Sequence, residues 1–378
     1  LMVDNGDGGY ECDFAVWIDP VIARGTEFLE GYLRLDDPID GQSVATAAEN
    51  VFTVSGLLLG PEREAQIYVN GEFAATATAD EKTGVFSEEI VVPSAGKNTV
   101  RVTAGDLSEE VRVYLAGDAK TEDEITLSTD TVSVSAMPAV NGILVTDLSR
   151  ADGYGWLSQP SFIRFPDEVR LGGENGTPLA LNWQYTGVNY TEEDFVARKI
   201  DVFGNDYTGK KMTYTFSYTD ASGKFELRSV WSAYSDFDGP VSHKIDLDNN
   251  SGEDVYVTTA DSLTLGLTRP AGSAMTASYS YKGAVYQTSY GYRCDTVTDG
   301  YDMEIFSSTD YNNGYQIDAG YIPWVSLNAE GEGLNIGVMW SDCRAHVYGK
   351  GDGEVYLEAG LRPRFRTVIP AGDTYYIP

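Results

Sequence analysis

The sequence is poor in the residues that build metal and nucleophilic sites. Its 378 residues include two His and three Cys, and no CxxC pair occurs. Zinc sites need clusters of His and Cys, so the sequence predicts no metal and no other cofactor. It has neither a GxSxG elbow for serine-hydrolase chemistry nor a glycine-rich phosphate loop. Three cysteines cannot complete a set of internal disulfides, and pairing of Cys294 with Cys343 is left open beside separate thiols.

Positive charge is also scarce. Lys and Arg number 26 against 58 Asp and Glu, which gives a net charge of −32. A chain this acidic repels nucleic acids and anionic membrane surfaces, so neither is an expected partner. No run of about 18 apolar residues is present, so membrane insertion is not expected either. The composition suits neutral or cationic ligands, such as glycans or calcium.

No signal peptide opens the chain, which begins with the strand-like Leu1-Met2-Val3. We therefore expect a fragment of a longer protein, with any export signal upstream. The acidic composition is typical of an extracellular protein. The oligomeric state of the protein is left open.

Glycine and tyrosine are abundant, at 40 and 25 residues, and this favours turns and strands over helices. Residues 98–102 alternate in polarity as a half-buried strand does, and Asn70-Gly71 is a strong hairpin signal. The predicted fold class is therefore all-β. Residues 191–198 are the exception, where Thr191 as cap and Asp194 facing back to it predict a helical turn.

Turn and linker signals divide the chain into five segments. Residues 33–116 carry about seven short strands spaced about 8–12 residues apart, which predicts an immunoglobulin-like sandwich. Residues 125–378 are strand-like throughout and predict a large two-sheet sandwich. Residues 1–24 hold two strands that need a partner sheet, and residues 25–32 and 117–124 are predicted linkers.

The first segment resembles the C-terminal strands of the NPCBM carbohydrate-binding module, a jelly roll. The pattern is L-x-V-D-x-G-D-G, then D-F-A-V-W, then D-P. The resemblance implies that residues 1–24 are the tail of such a module, too short to map its sugar site. Asp4, Asp7 and Asp13 could line a calcium site in a complete module or cap turns. The matching residues are Leu1, Val3, Asp4, Gly6, Asp7, Gly8, Asp13, Ala15, Trp17 and Asp19.

Residues 33–116 resemble the bacterial Ig-like domains that space modules in secreted enzymes. The motifs are Pro38-x-x-Gly41, Thr53-Val54-Ser55-Gly56, Val69-Asn70-Gly71 and Asn98-Thr99-Val100. This resemblance implies a spacer in a secreted or cell-surface bacterial protein and says little about chemistry.

Residues 125–378 resemble the N-terminal β-supersandwich of family 36 glycoside hydrolases, the α-galactosidase and α-N-acetylgalactosaminidase group. Six islands and a closing edge strand carry this resemblance. The islands are Leu181-Asn182-Trp183-Gln184-Tyr185, Thr208-Gly209-Lys210, Phe225-Glu226-Leu227-Arg228-Ser229, Gly239-Pro240-Val241-Ser242-His243-Lys244-Ile245, Ile322-Pro323-Trp324-Val325 and Gly333-Leu334-Asn335-Ile336-Gly337-Val338-Met339-Trp340-Ser341, and the edge strand is Pro370 to Pro378.

The resemblance implies that catalysis belongs to a following (β/α)₈ barrel with a nucleophile and an acid/base aspartate. Such a barrel needs about 250 residues, and none follow Pro378 in this sequence. We therefore expect no catalytic residue on this chain. The triplets Lys199-Ile200-Asp201 and Lys244-Ile245-Asp246 match the family's Lys-x-Asp nucleophile motif but lack a following helix, so we interpret both as coincidental. His243 is interpreted as a hydrogen-bonded structural histidine.

Aromatic side chains are the candidates for sugar contact, because sugar C–H faces stack on aromatic rings. Trp156 is the first choice, since the glycines around it in the segment 151–159 predict an exposed loop tip. Tyr154 in the same segment and Trp183 complete the predicted carbohydrate-binding set.

Two hypotheses remain open for the function. In the first, the chain is the non-catalytic accessory region of a secreted, exo-acting α-galactosidase-like enzyme that acts on α-galactosides or α-N-acetylgalactosaminides. It would support the barrel and contact glycans that contain galactose or N-acetylgalactosamine. In the second, it belongs to a cell-surface glycan-binding protein or adhesin without a catalytic domain.

Overall fold

A computed structural model of the chain describes residues 31–38, 40–44, 50–93, 95–158, 160–197, 206–235, 239–258, 261–269, 274–281, 291–306, 311–312, 316–317, 324–338, 343–349, 353–361 and 366–377. Within these ranges the chain folds into strands, with one 3-10 turn at Thr121–Asp123 as its helical element. The all-β prediction is confirmed. The NPCBM-like tail at 1–24, Cys12 and the triplet 199–201 lie outside the described residues.

The first unit is a sandwich of two sheets with its own core. One sheet has the order β1-β3-β6, and the other has the order β2-β8-β7-β4-β5, with β2 parallel to β8. Val54, Leu58, Ile67 and Val100 are fully buried between them. The strands are β1 (Tyr32–Asp37), β2 (Gln42–Val44), β3 (Val51–Leu59), β4 (Glu64–Val69), β5 (Glu72–Thr78), β6 (Val85–Val91), β7 (Gly96–Ala104) and β8 (Leu107–Leu115).

The structure contains the hairpin turn predicted at Asn70-Gly71 and the half-buried strand predicted at residues 98–102. Asn70 and Gly71 have φ values of 51° and 86°, the left-handed conformation that a tight turn between β4 and β5 requires. The Asn70 side-chain amide donates to Asn98 Oδ1 at 2.8 Å, which ties the turn to β7. Along β7, Asn98, Val100 and Val102 are buried while the residues between them are partly exposed, as the alternation predicts.

The second unit spans residues 125–377 and divides its strands among five sheets and one short pair, more than the two sheets expected. The strands run from β9 to β31. They are β9 (Ile125–Ser128), β10 (Val132–Ala139), β11 (Gly142–Arg150), β12 (Ser161–Arg164), β13 (Glu168–Leu171), β14 (Thr177–Ala180), β15 (Trp183–Ala197), β16 (Tyr207–Asp220), β17 (Phe225–Tyr234), β18 (Ser242–Asn249), β19 (Val255–Thr258), β20 (Asp261–Thr268), β21 (Met275–Tyr281), β22 (Gly291–Val297), β23 (Asp302–Phe306), β24 (Tyr311–Asn312), β25 (Gln316–Ile317), β26 (Trp324–Ala329), β27 (Glu332–Gly337), β28 (Cys343–Gly349), β29 (Glu354–Leu361), β30 (Arg366–Ile369) and β31 (Thr374–Ile377).

All five sheets of this unit contribute to one hydrophobic core. Their strand orders are β12-β11-β10-β9, β14-β13-β19-β30, β15-β16-β17-β18-β31, β20-β29-β28-β23 and β22-β21-β26-β27. Phe216, Tyr218 and Phe225 are almost completely buried at its centre, and the Tyr218 hydroxyl donates to the Gly142 carbonyl at 2.9 Å. This pairing satisfies a polar group that burial would otherwise penalise.

The helical turn predicted at 191–198 is wrong. Residues up to Ala197 continue β15, which pairs residue by residue with β16. Lys210 lies directly opposite Asp194, and its ammonium approaches the carboxylate to 2.6 Å. Opposite charges across a strand pair stabilise the ladder, and a helical turn would remove the backbone partners of β16 on the β15 side. Cross-strand pairing therefore outweighs the local capping signal.

The predicted linker at 117–124 packs against the second unit. Ala119 forms a backbone bridge with Ala139, and Asp123 accepts a hydrogen bond from the Tyr185 hydroxyl at 2.7 Å. Next to it, the Arg164 guanidinium lies 3.5 Å from the centre of the Tyr114 ring, a cation–π contact between the units. The units are therefore in direct contact through side chains as well as through the chain.

Asn249 at the end of β18 fastens the C-terminal segment to the second unit. Its side chain is fully buried, and Nδ2 donates to the carbonyls of Glu253 at 2.8 Å and Ile369 at 2.9 Å. Its Oδ1 accepts from the Ser251 amide at 3.0 Å. One side chain thus holds the turn after β18 and the end of β30 together.

We predict that Asn249→Ala lowers the free energy of unfolding by about 3 kcal/mol, because several buried carbonyls lose their donor. Asn250→Ala is the matched control. The Asn250 side chain is exposed, so its loss should cost less than about 0.5 kcal/mol. Urea unfolding followed by tryptophan fluorescence measures both, and equal midpoints for the two variants would contradict the role given to Asn249.

Candidate functional site

A groove of about 1180 Å³ opens in the second unit where strands of four sheets meet. Two of the sequence islands, the segments around His243 and Leu334, border it together with Trp156. Its described lining residues come from β10, β11, β17, β18, β20, β27, β29, β31 and the turns beside them. The site thus joins parts of the chain that are far apart in sequence.

The floor of the groove is apolar. Trp156 and Trp231 lie there with 2% and 4% of their surfaces exposed, beside Leu148, Leu265 and Leu334. Because the two indole rings belong to the core, only a small part of each reaches the groove. The floor therefore offers aliphatic and aromatic surface rather than an open aromatic platform.

The prediction that Trp156 sits at an exposed loop tip is wrong. The turn lies at 151–153, and Gly153 has a φ of 97° there. The Trp156 amide donates to the Leu148 carbonyl at 2.8 Å, and its carbonyl accepts from the Thr268 amide at 3.0 Å. These bonds hold the segment between β11 and β20 and draw the indole inward. Sugar contact by Trp156 stays a prediction.

The other two predicted sugar-binding residues lie in different surroundings. The Tyr154 ring is partly exposed and packs edge-on against Trp156, with ring centres 5.0 Å apart. Trp183 is 1% exposed, and its Nε1 donates to the Pro166 carbonyl at 2.7 Å inside the core. Of the three, only Trp156 lines the groove; Tyr154 contacts it from outside the lining, and Trp183 packs the interior.

One rim of the groove carries an ion-paired arginine. Arg150 at the end of β11 binds Asp152 with an N–O distance of 2.7 Å and also binds Glu332 of β27. Its side chain is 42% exposed. A guanidinium held between two carboxylates presents donors and acceptors in fixed directions, which suits hydrogen bonding to neutral hydroxyl groups.

The groove is also lined by an exposed tyrosine that the sequence reasoning did not select. Tyr376 on β31 is 51% exposed, and the Lys244 ammonium lies 4.9 Å from the centre of its ring. Ile377, the next residue, is buried, so β31 turns Tyr376 outward. This alternation within the closing edge strand is the signal that could have identified Tyr376.

The triplet Lys244-Ile245-Asp246 lies in the interior of a sheet. Asp246 is 7% exposed, and Lys244 binds it at 2.9 Å on the same face of β18. β18 is paired on both sides, by β17 and by β31. The lysine thus neutralises a buried carboxylate, which gives the triplet a structural role.

His243 is built into the groove wall as a neutral side chain. Its Nε2 lies 2.9 Å from Ser229 Oγ, which accepts from Trp231 Nε1 at 3.0 Å. The Ser229 hydroxyl can donate to Nε2 of a neutral ring or accept from it, according to the tautomer. Burial lowers the pKa of His243 from 6.5 to about 3. The structural interpretation of His243 agrees with these contacts.

His346, outside the groove, has the opposite electrostatic environment. Its Nε2 lies 2.7 Å from Asp302 Oδ1, and its Nδ1 lies 3.7 Å from Glu358 Oε2. Burial alone would lower its pKa, but the two carboxylates outweigh burial and raise the pKa above 6.5.

Metal-binding and disulfide chemistry find little support in the part of the chain that the structure describes. No group of three or more His, Cys, Asp or Glu side chains is arranged to hold a metal ion there. Cys294 is an exposed thiol and Cys343 a buried one. Within the same ranges, no helical segment has the length and hydropathy of a membrane span.

No family model and no curated protein matches the chain. Among solved structures, it is similar to the GH36 α-galactosidase AgaA of Geobacillus stearothermophilus, with 12% identity over 68% of the chain and a TM-score of 0.48. The α-galactosidase of Lactobacillus brevis aligns with 13% identity over 68% and a TM-score of 0.46, and a β-arabinopyranosidase with 11% over 67% and 0.41. The chain spans 39%, 38% and 39% of these structures, about two fifths of their length. Likeness at this level leaves the functional argument to the residues of the chain itself.

We predict that the two histidines titrate on opposite sides of pH 6.5. In an NMR titration, the His243 imidazole signal should stay unchanged from pH 8 to pH 4, because its pKa is about 3. The His346 signal should titrate above pH 6.5. Since the chain has two histidines, His243→Gln assigns both signals. Titration of His243 near pH 6.5 would contradict its burial as a neutral ring.

The same shifts predict how stability changes with pH. Below pH 6.5 the unfolded chain protonates His243 while the folded chain does not until about pH 3, so this residue destabilises the fold as the pH falls. The stability gap between the parent and His243→Gln should therefore shrink from pH 7 to pH 4. His346 contributes stability below pH 6.5 that is lost as the pH rises through its raised pKa, so the gap for His346→Gln should shrink towards high pH. Urea unfolding at pH 4, 7 and 9 measures both, and parallel curves for the two variants would refute the assignment.

Proposed function

We propose that this chain is a glycan-contacting, non-catalytic accessory region of a secreted bacterial glycoside hydrolase of the α-galactosidase type. The observation that carries the proposal is the groove, which brings Trp156 and two separate family-like islands to one place. These islands spread over more than 90 residues of sequence, so proximity along the chain does not explain why they share one surface. Their meeting at one concave site supports a ligand-binding role for the residues that border it.

The rims and the floor of the groove provide what sugar recognition needs. Arg150 with its carboxylate partners offers hydrogen bonds to hydroxyl groups, and Tyr376 offers an exposed ring. A sugar ring presents polar edges and apolar C–H faces, so it matches a site with both kinds of surface. Galactosides and N-acetylgalactosaminides are the proposed ligands because of the family resemblance of residues 125–378.

The non-catalytic part of the proposal rests on the state of the carboxyl groups. A glycosidase acid needs a raised pKa and a partner carboxylate about 5–5.5 Å away for retention or about 6.5–9.5 Å for inversion. Two described carboxylates, Asp130 and Asp152, line the groove, and Asp152 binds Arg150. Outside the lining, Glu332 binds the same arginine and Asp246 binds Lys244. Each of these three ion-paired carboxylates is therefore already engaged by a cation of its own chain. The proposed place of catalysis is a (β/α)₈ barrel elsewhere in the parent protein.

We predict that the chain binds methyl α-galactoside or methyl α-N-acetylgalactosaminide, and that Tyr376→Ala weakens this binding about three- to tenfold through loss of the aromatic contact. Phe73→Ala is the control, because Phe73 is 59% exposed on the first unit, away from the groove. Isothermal titration calorimetry measures the affinities. Absence of binding, or equal losses in both variants, would refute the groove as the glycan site.

Two further observations separate the proposal from its alternatives. Hydrolysis of p-nitrophenyl α-galactoside by this chain would overturn the non-catalytic assignment. A parent gene that continues into a barrel with a Lys-x-Asp strand end supports the enzyme, whereas further Ig-like repeats or a wall anchor would favour the adhesin.

A further inference from the structure

We infer that the groove binds an amphiphilic glycoside, with an alkyl or aryl aglycone on the apolar floor and the sugar at the rims. This inference rests on the proposed function and deepens it by naming the ligand class. It starts from the size of the groove. Sites for drug-sized ligands typically measure about 300–1,000 Å³, and this groove has a volume of about 1180 Å³. A single sugar ring would leave much of it filled with water.

The chemistry of the walls argues that the remaining volume takes an apolar group. Besides the buried tryptophan and leucine side chains, the floor includes five half-buried aliphatic side chains that keep part of their surface uncovered. Contiguous apolar surface of this kind is unfavourable in water and marks binding sites. The five residues are Val132, Val241, Leu263, Ile336 and Val338.

The charges at the rims argue for an uncharged head group. Among the described lining residues, the cationic side chains are Arg150 and Lys244, and each already binds carboxylates of its own chain. An anionic head, such as a fatty-acid carboxylate or a phosphate, would have to compete with these ion pairs. It would also meet the repulsion of a chain with a net charge of −32. Neutral hydroxyl groups can instead add hydrogen bonds to the existing pairs.

The experiment compares four ligands by isothermal titration calorimetry, each below its critical micelle concentration. They are methyl α-galactoside, octyl α-galactoside, octyl α-glucoside and sodium octanoate. We expect octyl α-galactoside to bind at least tenfold more tightly than methyl α-galactoside, because the added methylene groups enter the apolar floor. Octanoate should bind at least tenfold more weakly than octyl α-galactoside, because its head is charged.

Ile336→Glu is the variant that tests the floor. It should abolish the difference in affinity between octyl and methyl α-galactoside, since a carboxylate at this position opposes an apolar tail. Val368→Glu is the matched control, because Val368 is 48% exposed on β30 and does not line the groove. Val338→Glu, just beyond the end of β27, replaces the first variant if Ile336→Glu does not fold.

Each outcome separates this inference from the proposed function. Equal affinity for methyl and octyl α-galactoside, or a tail gain that survives in the floor variants, overturns the inference and leaves the proposed function standing. Equal affinity for octyl α-galactoside and octyl α-glucoside supports the tail site and contradicts galactoside selectivity. Octanoate binding as tight as that of octyl α-galactoside overturns the neutral head group, and no binding by any ligand overturns both proposals.

Discussion

The larger unit depends on a single apolar interior that five antiparallel sheets share. Each sheet buries one face, and no sheet could stand alone because an exposed apolar face is unfavourable in water. Trp183 and Phe216 fill the middle of this interior, while Trp156 and Trp231 lie at its margin. The groove is the place where the margin is left partly uncovered. Its apolar floor is therefore an extension of the core rather than a separate feature.

Sequence periodicity predicted the strands of this protein well where the two faces of a strand differ. Along β4 and β7 the alternation of apolar and polar residues matches the observed burial. Local sequence patterns predicted the structure poorly where pairing with a strand decides the conformation. The charged stretch from Thr191 to Asp194 carries a local capping signal, but β16 lies alongside and supplies a backbone partner for every residue. Propensity within a few residues contains no information about such a partner.

The candidate site shows the same difference between features that local sequence predicts and features that long-range contacts decide. The glycines around Trp156 correctly indicate a turn, yet the backbone bonds of Trp156 to Leu148 and Thr268 place its ring inside. Thr268 is more than 100 residues away, so no local pattern could report the bond. Tyr376, by contrast, is exposed because it lies next to the apolar Ile377 on a strand, so the two side chains point to opposite faces, and the sequence alone contains that signal. Aromatic type was therefore a weaker guide to exposure than strand alternation.

The ion pairs at the rims connect ligand binding with the assembly of the sheets. Arg150 joins the end of β11 to Glu332 on β27, so one residue bridges two sheets at the groove. Lys244 contacts Asp246 on its own strand and the ring of Tyr376 on the neighbouring strand β31. A sugar that hydrogen-bonds to these groups would contact the residues that hold the groove edges in place. Because the pairs are partly exposed, salt weakens them, and the ligand's hydroxyl groups would then face more mobile partners. The geometry of the site thus depends on the same electrostatic contacts that would recognise its ligand.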